Sequence, residues 1–186
     1  MIRPGHHICQ DLRQKSRPFS VLGFTGLIIL LHLALLPSAA VWAATIGGVT
    51  GLPLPRFVSL RASEVNIRTG PGVRYPIDWV FNRANLPVEV IAEFDTWRKI
   101  RDADGTKGWV HQSMLSGRRY IITTDRIRSL RRKPAATAST VARLEAGVVG
   151  RLETCREKWC EIDIDGLRGW ILRTEVWGLR TAKGGN

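Results

Sequence analysis

Few side chains in this sequence could do chemistry, and they cluster. Cys155 and Cys160 bracket the stretch Arg156 to Trp159, His111 follows Gly108-Trp109-Val110, and residues 65 to 76 read VNIRTGPGVRYP. An adjacent cysteine pair can be a structural bridge or a redox couple. The spacing here is not the C-x-x-C of oxidoreductases, so in an oxidising compartment the pair reads as a disulfide across a hairpin. A zinc site needs about four ligands at short spacings, and none is visible, so neither a metal nor a cofactor is expected. A single histidine could activate a nucleophile only if a neighbour oriented it, and nothing in the sequence recommends one.

The Gly-Pro-Gly stretch raises a different possibility, a loop that grips phosphate. Such a loop aims successive backbone N–H groups at the anion, with a helix N-terminus behind them. Pro71 removes one of those donors, and Ile77-Asp78-Trp79-Val80 shows no helix start beyond a single turn. Gly70 and Gly72 read instead as turn positions that need permissive φ, with Pro71 fixing the bend between them. A third cluster is basic: from Arg118 to Lys133 come Arg118, Arg119, Arg126, Arg128, Arg131, Arg132 and Lys133 against Asp125 alone. Alternation in RIRSLRR puts arginines on one strand face, which is either simply solvated or suited to an anionic surface.

Short strands must position these groups. Residues 88–92, 97–101 and 109–110 alternate like strands around a hairpin turn at 102–108, and 148–154, 159–164 and 170–172 repeat the order around Asp165-Gly166. An offset of 62 carries Leu86, Val90, Trp97 and Ile100 onto Val148, Leu152, Trp159 and Ile162. Gly108-Trp109 reaches Gly169-Trp170 at 61, and Pro71 reaches Pro134 at 63. A period near 60 means two copies of a small domain rather than solenoid units. Each has room for about five short strands, closed into a barrel that hides its edges, and units this small should pack together. The first copy has Glu93 and Arg98 where the second has its cysteines, so an exposed cross-strand pair worth about 0–1 kcal/mol takes the disulfide's place.

The first residues stand apart. Arg3, Arg13, Lys15 and Arg17 precede an apolar run from Val21 to Leu36, and Val41-Trp42-Ala43 fits a small-residue cleavage rule. Residues 1–43 therefore read as a secretory signal peptide cleaved after Ala43, the alternative being a short retained anchor. Cys9 lies before the apolar run, so it is no lipidation site at a cleavage point. That segment takes four of the 28 basic and one of the 16 acidic residues, leaving 24 against 15, a net +9, together with only Cys155, Cys160 and His111 from the Cys/His set. In an exported compartment the anions to meet are wall polymers, lipid head groups and acidic proteins, so nucleic acid is not expected.

With these features in place, the chain resembles the bacterial SH3-like domains, exported and often in tandem. The resemblance rests on V-N-I-R-x-G-P-G-x-x-Y-P at 65–76, Trp97-x-x-Ile100, Gly108-Trp109-Val110, and LEAGVVGRLETCREKWCEIDIDGLRGWIL in the second copy. The second copy's opening, IRSLRRKPAATAS, lacks the Gly-Pro-Gly and the tyrosine. The resemblance implies an all-β fold of two tandem small SH3-like β-barrels: signal segment 1–43, linker 44–56, first domain 57–117, second 118–182 and tail 183–186. It implies a non-catalytic module at the cell envelope, periplasmic or secreted, recognising cell-wall (peptidoglycan) components, or else an adaptor for an extended peptide segment of an envelope protein. Trp109 and Trp170 read as core packing. Trp97 and Trp159 start strands after polar turns, and in SH3-type grooves such an aromatic beside a loop tyrosine cradles extended peptides. The binding candidates are Asn66, Arg68, Tyr75 and Trp97 in the first copy, with Arg128, Arg131 and Arg132 in the second.

Overall fold

A computed structural model describes residues 45–180. The signal segment 1–43 with its Ala43 cleavage point, and the tail 183–186, lie outside the described residues. The architecture is all-β, as two seven-stranded antiparallel sheets, each curled into a small SH3-like barrel. Barrel 1 contains β3 (Arg56–Leu60), β4 (Val65–Arg68), β5 (Ile77–Phe81), β6 (Pro87–Phe94), β7 (Trp97–Arg101), β8 (Lys107–His111) and β9 (Leu115–Ser116). Barrel 2 contains β10 (Tyr120–Thr123), β11 (Arg128–Arg131), β12 (Thr140–Leu144), β13 (Val149–Arg156), β14 (Trp159–Ile164), β15 (Leu167–Leu172) and β16 (Val176–Trp177). The sheet orders β5-β4-β8-β7-β6-β3-β9 and β12-β11-β15-β14-β13-β10-β16 are the same topology twice. Seven strands replace the expected five because the stretches Ile77–Phe81 and Thr140–Leu144 and the two-residue closers β9 and β16 carry little periodicity.

Register explains why the copies match despite their divergence. A bulge follows Val90 in barrel 1 and Leu152 in barrel 2. Another falls between Ile67 and Arg68, and between Leu130 and Arg131. Both β-hairpin tips put a non-glycine residue in the left-handed region, Asp95 at φ 48° and Glu157 at φ 48°. Inward positions hold Leu60, Val65, Ile67, Val88, Val90, Ile100 and Val110 in barrel 1, and Ile121, Leu130, Leu144, Ile162 and Ile171 in barrel 2. Gly108 and Gly169 face inward where β8 and β15 cross β4 and β11. A Cβ there would run into Ile67 and Leu130 respectively, so close packing demands glycine.

The barrels pack on one another. Phe57 meets Trp177 edge-to-face at 4.8 Å, and the Arg119 guanidinium lies over the Phe57 ring and donates to the Gly178 carbonyl at 2.9 Å. Ser59 Oγ donates to the Arg118 carbonyl, and Arg83 donates to the Gly147 carbonyl at 2.7 Å.

The segment read as a linker is instead part of barrel 1. β1 (Thr45–Ile46) and β2 (Pro53–Leu54) form a hairpin, and Leu54 enters the first core. Its anchor is Glu93, whose carboxylate accepts from Thr50 Oγ1 at 2.6 Å and from the Thr50 and Val49 N–H groups at 3.0 and 3.2 Å. Arg56 pairs with the same carboxylate at 2.7 Å and Arg98 approaches it to 3.7 Å. Burial alone would raise the Glu93 pKa, but the bonds from Thr50 and Arg56 outweigh it and hold it at about 2. The Glu93–Arg98 pair thus occupies the register position of the disulfide, but it is not the exposed pair the sequence suggested. The side chains are only 1% and 4% exposed, because the β1–β2 hairpin covers Glu93, and Arg98 is bound by the Asp95 and Trp97 carbonyls and Gln112 Oε1.

Candidate binding surface

The loop Thr69–Pro76 is held from below by an arginine. Arg68, at the end of β4, donates to the Tyr75 carbonyl at 2.8 Å and to the Val73 carbonyl at 3.2 Å. The loop closes with Thr69 N–H to Pro76 O, Gly72 N–H to Gly70 O and Tyr75 N–H to Gly72 O. Barrel 2 builds the same loop bond for bond from Arg132 N–H to Ser139 O, Ala135 N–H to Lys133 O and Ala138 N–H to Ala135 O. Arg131 supplies the matching clamp, donating to the Ala138 carbonyl at 2.9 Å.

This equivalence corrects the reading of the glycines. Neither Gly70 nor Gly72 has positive φ. A Cβ on Gly70 would collide with the Tyr75 ring, and one on Gly72 would sit 3.4 Å from it. The glycines are small to make room for the tyrosine. Where Ala138 replaces that tyrosine, Lys133 and Ala135 take the glycine positions on the same backbone.

Trp97 and Trp109 lie on the outer face of the sheet, not in the core. Register aligns Arg68 with Trp109 and Trp109 with Lys99, and strand alternation sends all three outward, opposite Ile67, Ile100 and Val110. Trp97 shares that face, paired with His111 and with Phe94, and its ring meets the imidazole edge-on at 5.6 Å. Trp97 and Trp109 are both half-buried. Tyr75 sits at the loop with Arg74 over its ring at 5.1 Å, and makes no ring contact with Trp97 among the described residues. Trp109, assigned from sequence to the core, stands on this face between the strands that carry Arg68 and Trp97. Asn66 is exposed on β4 beside Arg68.

In barrel 2 the same face is closed over Trp170, while Trp159 stays half-buried like Trp97. Trp170 aligns with Arg131 and Glu161, and is 8% exposed yet absent from the core cluster. Arg156, in the place of Phe94, lies over its ring at 5.7 Å. Three of the seven residues of the basic run are committed as well. Arg128 bridges Asp125 at 3.3 Å and Glu175 at 3.6 Å, Arg131 clamps its loop, and Arg119 serves the seam, where burial and Arg180 lower its pKa. Arg118, Arg132 and Lys133 are exposed.

Sequence reading missed the edge strand β5. Ile77 and Trp79 are 47% and 57% exposed, and Val73 in the adjoining loop is 79% exposed. The isolated apolar run IDWVF was the available signal. Barrel 2 has Thr140, Ala142 and Arg143 at the positions of Ile77, Trp79 and Val80.

His111 is engaged locally. Its Nδ1 accepts from the Ser113 N–H at 3.3 Å and lies 2.7 Å from Ser113 Oγ, capping the short 3-10 turn Gln112–Met114. Among the described residues, no group of His, Cys, Asp and Glu is placed to hold a metal ion. Cys155 and Cys160 face one another across β13 and β14 and are joined by a disulfide.

The model of the family described as "Bacterial SH3 domain" matches residues 61–117 and 126–178, one segment in each barrel. The chain belongs to the bacterial SH3 domain family. Among solved structures it is similar to NlpC1 from Trichomonas vaginalis (12% identity, 76% of this chain and 52% of that one, TM-score 0.33). It is also similar to NlpC2 from the same organism (11%, 69% and 51%, TM-score 0.31). A third is an NlpC/P60 family protein from Bacillus cereus (11%, 67% and 57%, TM-score 0.30). This bacterial SH3 chain thus spans about half the length of the solved structures it matches. No curated protein matches it.

Proposed function

We propose that this chain is a non-catalytic exported binding module that recognises cell-wall components, peptidoglycan in particular, through barrel 1. The observation that carries the reading is the contrast between the two outer faces. In barrel 1 both Trp97 and Trp109 remain half-open on the face that carries Arg68 and Lys99, whereas in barrel 2 only Trp159 is half-open and Trp170 is covered by Arg156. Half-open aromatics interleaved with cations suit a polymer that presents apolar sugar faces and peptide carboxylates. Export is supported by the leader at 1–43 and by a disulfide, a bond that persists in oxidising compartments. A mature chain whose mass begins at Ala44 is the expected product.

The test is sedimentation with purified sacculi. The wild-type chain should pellet at low salt and less at high salt, since exposed cations are screened. Tyr75→Ala and Trp109→Ala should reduce pelleting, and no pelleting of the wild type at low salt would overturn the reading. A second reading, an adaptor for an extended peptide, is favoured by the exposed apolar edge of β5. Trp79→Arg puts a charge on that apolar edge, where barrel 2 has Ala142. Sacculus binding that survives Trp79→Arg and fails in Tyr75→Ala supports the first reading, and the reverse pattern supports the second.

A further inference from the structure

Phe57, Pro87 and Trp177 close part of the seam between the barrels with apolar contact, but beside it a cleft of about 320 Å³ stays open. Arg83 and Asn85 reach it from the turn between β5 and β6, and Tyr120, Arg151, Asp163 and Asp165 reach it from barrel 2. Neither barrel alone would form it. We propose that this cleft is a binding site for a small zwitterion of amino-acid or dipeptide size, separate from the outer face of barrel 1 and independent of its ligand.

Charge dictates the class of ligand. Two guanidiniums and two carboxylates line the cleft, so a pure anion would meet Asp163 and Asp165, and a pure cation would meet Arg83 and Arg151. A molecule carrying both charges satisfies both walls. The groups are held for that purpose to different degrees. Arg83 is fixed by a single bond to the Gly147 carbonyl, which leaves its other nitrogens free to take a carboxylate. Asp163 is kept ionised by the Gly166 N–H at 2.8 Å and by Arg168 at 2.9 Å. The Asp165 carboxylate and the Tyr120 hydroxyl join no ion pair or side-chain hydrogen bond among the described residues.

The matching position in barrel 1 shows what a merely structural pair looks like. There Arg101 grips Glu89 through both Nε and Nη2, and Glu89 is buried. In barrel 2 the charges are exchanged, and Arg151 stands 3.5 Å from Asp163 while it pairs with Glu153 at 2.7 Å. The looser pair lines the cleft. Its volume is at the low end of ligand pockets, which run from about 300 to 1,000 Å³. The polar lining and the contacts on either side make it a preformed polar niche rather than a packing fault.

Titration of the ¹⁵N-labelled full chain with alanyl-alanine tests this, with the neutral N-acetylated dipeptide amide as control. The zwitterion should shift the amides of Gly147, Asp165 and Gly166 saturably, and the neutral analogue should not. Asp165→Asn is the informative variant, because asparagine tolerates the left-handed conformation held at φ 50° and the fold is preserved. It should weaken binding about tenfold, the loss expected for one charge-assisted bond. The proposal fails if the zwitterion produces no shifts, if the neutral analogue produces equal ones, if the shifts fall around Tyr75 and Trp109, or if Asp165→Asn binds as tightly as the wild type. Sacculus sedimentation by Asp165→Asn should be unchanged, so failure here and failure of the wall-binding reading are separate results.

Discussion

At the β6–β7 hairpin of barrel 1, Glu93 faces Arg98, and at the β13–β14 hairpin of barrel 2, Cys155 faces Cys160. The backbone around both is alike, down to the bulge and the left-handed tip residue. The disulfide is self-sufficient, a short covalent loop needing no partner. The charged pair is not, because two buried charges must be matched by further hydrogen bonds, and it recruits Arg56 and the β1–β2 hairpin to supply them. Barrel 1 therefore extends to residue 45, whereas barrel 2 closes within its own seven strands. The Thr69–Pro76 loop and its counterpart show the same logic, with one backbone carrying either tyrosine with glycines or alanine with ordinary residues.

The largest effect should come from breaking the charged network. Glu93→Gln leaves Arg56 without its carboxylate and should cost about 3 kcal/mol in urea denaturation, with faster hydrogen exchange at the Thr50 amide. Because the folded-state pKa of Glu93 lies below the ordinary 4.5, its contribution is complete above that value and fades as pH falls towards about 2. Hydrogen-exchange protection at Val49 and Thr50 should follow that window, and protection that is flat from pH 5 to 2.5 would refute the assignment. Barrel 2 should respond to reductant instead. Cys155→Ser with Cys160→Ser should cost about 2 kcal/mol, as loop-closure entropy predicts for so short a ring, and leave Thr50 protection unchanged.

The glycine–tyrosine coupling is sharpened by a double-mutant cycle. Gly70→Ala should destabilise by about 1–2 kcal/mol through overpacking against the ring. Gly70→Ala combined with Tyr75→Ala copies barrel 2 and should recover most of that loss, a coupling of about 1 kcal/mol. Simple additivity would show that the glycines serve something other than room for the ring. The smallest difference separates the two clamps. Arg68→Met and Arg131→Met should each cost about 1 kcal/mol, the former more because Arg68 holds two carbonyls and Arg131 one.

Much of the fold was legible because hairpin strands announce themselves by alternation. Residues 97–101 and 159–164 were read to the residue, and the offset of 62 correctly set Glu93 and Arg98 opposite one another. The site was less legible. A tryptophan in an apolar stretch looks like core, yet Trp109 faces outward, half-buried, because its neighbour Val110 occupies the interior. Trp170 is buried as expected, though beneath Arg156 rather than within the barrel-2 cluster. A glycine in a turn looks like a φ requirement, yet Gly70 is small for the sake of a side chain five residues away. The arginines of 118–133 looked like one patch, and three of them are spent on the seam, a loop clamp and a paired carboxylate.

The sequence by itself determined the duplicated all-β pattern, the family and the cysteine pair, since these rest on local alternation, turn residues and spacing. Only the tertiary structure decided which groups are free to bind. Burial of Glu93 under the N-terminal hairpin, closure of Trp170 beneath Arg156, exposure of Trp79 and the charged cleft between the barrels all arise from contacts between residues distant in the chain. Whether a polar or aromatic group is satisfied within the fold or left open to a ligand depends on those long-range neighbours, which composition and periodicity do not encode.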